Sequence, residues 1–299
     1  MQLLYRIIYN PIVNGIIRNI FKLAGSSLPH SLKIPVSGIL TYPIDSNHSM
    51  RMVTNQTSHL TKELFWDGLQ DFEYAPIFRD LIKEMDVFFD IGASIGLYSL
   101  MASQLNPDIV VHAFEPSHGP NHFLMKNIAL NAPNHIHAHK LALSSSNGHI
   151  DFFADFNPKY GYLPYHLGGT GNIENTHALA SAKKHRVPTQ TLDDFVEQHN
   201  IERIDLMKVD TEATEHYILR GGANTIHRFQ PIIICELLYN KIEEKLEAIM
   251  GGHGYLFYKH TPQGLVLAKT LRRDEDDGVE NVFFVPRSKK HIIEPFVSA

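Results

Sequence analysis

The amino-acid sequence predicts an α/β fold in which a mainly parallel sheet carries helices on both faces. From Asp86 onward, apolar runs of strand length alternate with stretches of helix length. Four of these runs end on an acid, at Asp90, Glu115, Asp210 and Glu236. The first run, Val87-Phe88-Phe89-Asp90-Ile91, turns through Gly92 and Gly96 straight into a helical pattern. Sheets of this kind bind ligands beyond the carboxyl ends of their strands, at the point where strand order reverses. The strand-end acids are therefore the first functional candidates.

Composition narrows the partners. The chain has 299 residues, 43% hydrophobic and 20% charged, as an ordinary globular protein does. A net charge of −5 offers no basic stripe for nucleic acid. Cys235 is the only cysteine, which excludes disulfides and clustered-thiolate metal sites and fits a reducing, cytoplasmic setting. Residues 1–75 read as a helical and irregular extension, and residues 76–299 as the α/β domain.

In chain order, Met1 to Ala24 is apolar but interrupted by Arg6, Pro11, Asn14, Arg18 and Lys22, so it neither spans a membrane nor resembles a signal peptide. Ile12, Val13, Ile16, Ile17, Ile20 and Phe21 recur at helical spacing. That stripe reads as a face packed on its own domain or on a sister subunit in a homo-oligomer. The alternative is membrane contact, with the helix lying on a lipid surface. Leu28 to Asn47 carries three prolines and reads as an irregular lead-in with one hairpin. Pro76 to Lys83 is a helix feeding the first strand. Further strands are expected at Ile109–Phe114, Ile136–Leu143, Ile204–Val209 and Ile232–Cys235, and near Tyr255–Tyr258 and Val282–Val285. Helices follow Ser117 and Thr191, the latter with a capping-box spacing to Asp194. Others run from Glu212 to Arg220, stopped by Gly221-Gly222, and from Asn240 to Met250. Ser144 to Gln190 is a long excursion that reads as a flap.

The cofactor follows from the loop chemistry. Glu115 lies nineteen positions after Gly96, the spacing at which a carboxylate grips ribose hydroxyls. A dinucleotide loop would start on glycine, but this one starts on Asp90, which repels phosphate and attracts an ammonium group. A nucleoside bearing an amino acid in place of phosphates is S-adenosylmethionine.

At Phe89-Asp90-Ile91-Gly92-Ala93-Ser94-Ile95-Gly96-Leu97-Tyr98-Ser99, Ala113-Phe114-Glu115-Pro116 and Asp205-Leu206-Met207-Lys208-Val209-Asp210-Thr211-Glu212, the chain resembles the FkbM-type methyltransferases. Glu215, Gly221-Gly222 and Asn281-Val282-Phe283-Phe284-Val285-Pro286 extend the resemblance, which covers roughly residues 76–286. It implies a Rossmann-like, seven-stranded, mostly parallel sheet and S-adenosylmethionine as cofactor. It also implies that Asp90, Gly92 and Gly96, with Ala93 and Ser94 between them, line the methionine part. Glu115 with Pro116 would serve the ribose, and Asp210 would complete the cofactor site. The family pattern V-D-x-E-G-x-E departs here at Ala213, which is harmless in a helix and costly only if the glycine supplies a positive φ.

Methyl transfer is an in-line displacement that requires alignment and, for a hydroxyl acceptor, a base. The candidates are Asp210, Glu212 and Glu236, with His166 from the excursion or His216 from the helix. No metal ligand is assigned. Tyr160, Tyr162, Tyr165 and His166 would stack on a small-molecule or glycan acceptor. His135, His137 and His139 alternate on one face and read as a solvated or hydrogen-bonded set. Cys235 reads as an inert core thiol and Arg272 to Asp277 as a solvated turn. The resemblance favours O-methylation of a sugar, glycan or secondary-metabolite hydroxyl. The competing readings are N-methylation of a small amine, an NAD(P)-dependent oxidoreductase and a non-catalytic interaction module.

Overall fold

The computed structural model describes residues 2–23, 29, 32–133, 135–174 and 181–298. Parts of the lead-in after Met1–Ala24 and residues 175–180 of the excursion lie outside them. Two short helices come first, α1 (Gln2–Ile8) and α2 (Pro11–Leu23). The Asn10 side chain accepts from the Ile12 N–H and Pro11 takes the first helical position, which together start α2. A hairpin forms from β1 (Gly38–Pro43) and β2 (Ser49–Thr54), with its second strand beyond the expected Leu28–Asn47 segment, and α3 (His59–Trp66) and α4 (Ala75–Leu81) follow.

The α/β repeat then runs β3 (Val87–Ile91), α5 (Leu97–Leu105), β4 (Val110–Phe114), α6 (His118–Asn131) and β5 (Ile136–His139). A small sheet made of β6 (Ala142–Leu143), β7 (Gly148–Ala154) and β8 (Lys183–Gln190) interrupts it. Next come α7 (Leu192–Gln198), β9 (Leu206–Val209), α8 (Glu215–Gly221), α9 (Ala223–Phe229), β10 (Ile232–Glu236) and α10 (Glu243–Gly252). β11 (Tyr255–Thr261), β12 (Gly264–Ala268), β13 (Asn281–Pro286) and the short α11 (Lys290–Ile293) finish the chain.

The main sheet has the order β12-β11-β13-β10-β9-β3-β4-β5. β10, β9, β3, β4 and β5 are mutually parallel, and β13, β11 and β12 pair antiparallel at one edge. Strand order reverses between β3 and β9, which is the switch point. Successive β3 residues feed opposite layers, since Phe88 belongs to one apolar cluster and Phe89 to the other. The cluster holding Phe88 also contains Val36, Leu40, Met50, Leu64 and Tyr74, so residues on both sides of position 75 share one core.

Several expectations need correction. The sheet has eight strands instead of seven, because Gly264 turns the chain (φ 121°) and β12 adds to the edge. Ile136–Leu143 is two strands in different sheets, and much of the excursion is the β7–β8 hairpin. The stop at Gly221-Gly222 leads directly into α9. The helix expected from Glu212 begins only at Glu215, because Glu212 (φ 61°) and Ala213 (φ 72°) are left-handed. Ala213 thus occupies the position where glycine would relieve strain, and the substitution costs on the order of 1 kcal/mol.

The N-terminal stripe is a further correction. α2 packs inward through Asn14, whose side chain donates to the Pro35 carbonyl and accepts from the Ser37 N–H. Arg18 follows one turn later and donates to the Ser37 carbonyl. Two residues' separation puts Ile12 and Ile16 on the side of the helix opposite Asn14 and Arg18, so they face outward. A buried polar hydrogen-bond set, not the apolar stripe, fixes the helix. Val13, Ile17 and Phe21 are half-covered.

Gly92 closes β3 at φ 81°, and a Cβ there would lie 1.8 Å from the Asp210 carbonyl oxygen. Gly92→Ala is therefore expected to destabilise by more than about 3 kcal/mol, read as a lowered urea midpoint at unchanged m-value.

Candidate active site

The cavity sits at the carboxyl ends of β3, β4 and β9, against the switch point. Its floor is the loop after β3. Gly92 and Ala93 both donate backbone N–H groups to the Phe114 carbonyl at 3.0 Å, which ties that loop to the end of β4. Glu115 accepts from the Ser94 N–H at 3.0 Å and from the Ser117 N–H at 2.7 Å, one on each carboxylate oxygen. Gly92, Ser94, Glu115 and Pro116 line the cavity. Ala93 and Gly96 do not. Ala93 packs with Ala113 and Leu124, and Gly96 (φ 93°) caps α5 against the Leu124 side chain.

Asp90 lies behind the loop instead of in the cavity. It is buried, and its Oδ2 accepts from the Ser99 N–H (3.1 Å) and Oγ (2.6 Å) at the start of α5. Its cross-strand partner in the β3–β9 register is Lys208. The buried Lys208 ammonium stands 3.8 Å from Asp90 Oδ1 and 2.9 Å from Asp210 Oδ2, and it donates to the Gly92 carbonyl at 3.2 Å. Burial opposes its charge, but Asp210 and Asp90 outweigh that and hold its pKa above the ordinary lysine value. Burial likewise pushes the Asp90 carboxyl up, with Lys208 pulling against it.

Sequence reasoning missed two residues here. Lys208 had a signal, a cation inside an apolar strand. Glu73 had none, since it reaches the cavity from the N-terminal third of the chain. Tyr98 donates to Glu73 at 2.9 Å, and burial followed by the charge of Asp210 raises the Glu73 carboxyl to about 7.

The second cluster collects the acids after β9 and β10. Asp210 and Glu212 line the cavity; Glu236 stands behind them and accepts from the Glu212 N–H at 3.0 Å. One oxygen from each of the three lies within 4.8 Å of the others. Among the described residues this is the only three-ligand set close enough to hold a metal ion, where the sequence assigned none. Glu215 accepts from the Thr211 N–H at 2.7 Å and fixes the turn from below. Burial first, and the crowded negative charges next, raise the carboxyls of Glu212, Glu215 and Glu236 above the usual glutamate range.

The expected aromatic flap is arranged differently. His166 and the three flap tyrosines do not line the cavity. The His166 Nδ1 accepts from the Asn157 N–H, Tyr165 stacks on His122 at 4.0 Å, and Tyr160 meets Tyr5 and Tyr9. His216 contacts Lys245, away from the cavity. What the flap does contribute includes Asp155, Gly168 and Asn172. Thr170 donates twice to Asp155, and Asn172 donates to the Glu212 carbonyl at 3.2 Å. His139 stacks on His112, His137 lies tilted against it at 5.2 Å, and among the described residues they form no three-ligand metal set.

Lys208→Met would leave Asp90 buried without its cation. We expect a loss of about 3–5 kcal/mol, with part recovered in the double variant Lys208→Met/Asp90→Asn, both read by denaturant titration. A pH effect follows from the raised carboxyls. Their folded pKa values exceed the unfolded ones, so the stability they add is complete below about 4.5 and is lost as pH rises through about 7 (Glu73) and about 8 (Glu115). His112 and His139, depressed by burial to about 3 and about 4, act oppositely but only below their ordinary value of 6.5. Stability should therefore fall between pH 6.5 and 8, and Glu115→Gln should flatten that slope.

Residues 90–257 match the family model described as the methyltransferase FkbM domain. The 31-O-demethyl-FK506 methyltransferase FkbM of Streptomyces tacrolimicus is 27% identical over 183 residues, covering 52% of this chain and 69% of that protein. The hexuronic acid methyltransferase AglP of Haloferax volcanii is 27% identical over 152 residues, and the match spans 51% of this chain and 56% of AglP. A solved methyltransferase FkbM from Methylobacillus flagellatus KT superposes with a TM-score of 0.43 at 12% identity, covering 67% of this chain and 43% of that one.

Proposed function

The chain belongs to the FkbM methyltransferase family and is an S-adenosylmethionine-dependent methyltransferase, and from that premise we propose that it methylates a hydroxyl oxygen of a sugar, glycan or secondary metabolite. The observation that carries the proposal is the placement of Asp210 and Glu212 in the cavity, backed by Glu236, across from a pre-oriented Glu115. Family membership disposes of the oxidoreductase and the non-catalytic module.

The residues present fit the cofactor. Each Glu115 oxygen accepts one backbone N–H and keeps a lone pair for a ribose hydroxyl. Gly92 leaves the floor flat where a side chain could not stand. Asp210 and Glu73 place carboxyl oxygens in the cavity for the ammonium end, while Asp90 acts through the loop it pins to α5. Phe114 and Leu143 give the cavity an apolar side for the base. When bound, the cofactor supplies a methyl carbon already activated by its sulfonium.

The chain's own task is to align the acceptor and take its proton. Glu212 is the base in this reading. Burial and the neighbouring Asp210 raise its proton affinity toward that required near neutral pH, and its own N–H is anchored on Glu236. Asp210 is held in place by the Lys208 ammonium at 2.9 Å. A sugar, glycan or secondary-metabolite hydroxyl is the acceptor class, supported by relatives named for a hexuronic acid and for 31-O-demethyl-FK506. N-methylation would not need a base of this kind.

Glu115→Ala is expected to weaken S-adenosylhomocysteine binding by calorimetry at least about tenfold. Glu212→Gln should leave that binding intact and lower kcat at least about 100-fold on a hydroxylated acceptor. A few-fold loss only would move the reading to an amine acceptor. The base reading also requires turnover to survive a chelator. Activity lost to chelation and restored by Mg²⁺ would transfer the role of the three carboxylates to a metal.

A further inference from the structure

Among the described residues, nine of the twelve exposed large hydrophobics lie before position 40. They include Ile12 (75% exposed), Ile16 (58%), Ile20 (60%) and Leu23 (87%) along α2, and Leu3 and Leu4 on α1. The stripe is displayed because the opposite edge of α2 is locked down by Asn14 and Arg18. α2 has 13 residues, and no helix among the described residues is long and apolar enough to cross a membrane.

Charge says what covers this face. Residues 1–44 hold four cations and no acid, in a chain whose net charge is −5. Lys33 pairs with Asp67, but Arg6, Arg18 and Lys22 have no carboxylate partner among the described residues. Arg18 and Lys22 line one groove between α2, β1 and α3. The Arg18 guanidinium makes its two hydrogen bonds to neutral acceptors, and its Nε is buried without a partner. Lys22 stands over the Phe65 ring at 4.7 Å. A second copy would bring the same cations against these, whereas an anionic surface complements both the charge and the apolar stripe.

We propose that the outer face of α1 and α2 docks on an anionic lipid surface, with Ile12, Ile16 and Ile20 in the acyl boundary and headgroup phosphates at Lys22 on the flank of that stripe. The element touches the flap. Tyr5 and Tyr9 of the α1 region meet Tyr160 of the flap at ring distances of 5.7 and 5.5 Å, and Arg6 lies 5.0 Å over Tyr162. Docking therefore holds the flap side of the cavity near the lipid, whatever the acceptor's chemistry.

The test is flotation of the full chain with vesicles of phosphatidylcholine alone and of phosphatidylcholine with phosphatidylglycerol. The wild type is expected to float with the anionic vesicles. Ile12→Ser/Ile16→Ser/Ile20→Ser should reduce that at least about tenfold, and Lys22→Glu at least about fivefold. All three isoleucines are exposed, so an unchanged melting temperature confirms that the variant is folded. Wild type that stays unbound, or a triple variant that floats equally well, overturns the proposal. So does a wild-type dimer in sedimentation equilibrium that the triple variant abolishes while neither protein binds vesicles, because the face is then an interface between copies.

Discussion

A single buried ammonium holds the active end of this sheet together. Lys208 stands at the switch point, where β3 and β9 run side by side and lead to loops on opposite sides of the cavity. It contacts the acid inside β3, the acid that ends β9 and the carbonyl of the first loop glycine. A charge so buried persists only because its partners are in place, and those partners are buried only because the charge is there. The two strands' registers and the loop's position are fixed by one set of electrostatic contacts.

The crowding of acids around that cation has a chemical consequence. Burial first, and the neighbouring negative charges next, make Glu73, Glu212, Glu215 and Glu236 keep protons to a higher pH than free glutamate does. A proton acceptor near neutrality arises from burial and like charge, with no histidine needed in the cavity. The strain at Glu212 and Ala213 belongs to the same arrangement, since the left-handed pair delays α8 and turns Glu212 into the cavity.

The first 75 residues serve the site in two ways. Their inner half completes the apolar core and delivers Glu73 to the cavity. Their outer half, α1 and α2, is attached by polar bonds that leave an apolar face uncovered and lean on the flap through tyrosine contacts. An extension in sequence is thus part of the wall of the site in space.

Much of this is legible in the amino-acid sequence. Alternating apolar runs determined the α/β repeat, because a strand buried on both faces must be apolar at every position and a crossover must be long. The spacing from the Gly92 loop to Glu115 was legible as a nucleoside-binding pattern, since local spacing dictates which groups reach one ligand, whereas the direct contact expected of Asp90 was not borne out. Tertiary structure decided what depends on packing between distant segments. It put Asp90 behind the loop, brought Glu73 in from another part of the chain, kept His166 out, and turned Ile12, Ile16 and Ile20 outward. Helical periodicity gives the angle between two faces of α2, but which face turns inward depends on whether Asn14 finds Pro35 and Ser37, and that is a fact about the fold.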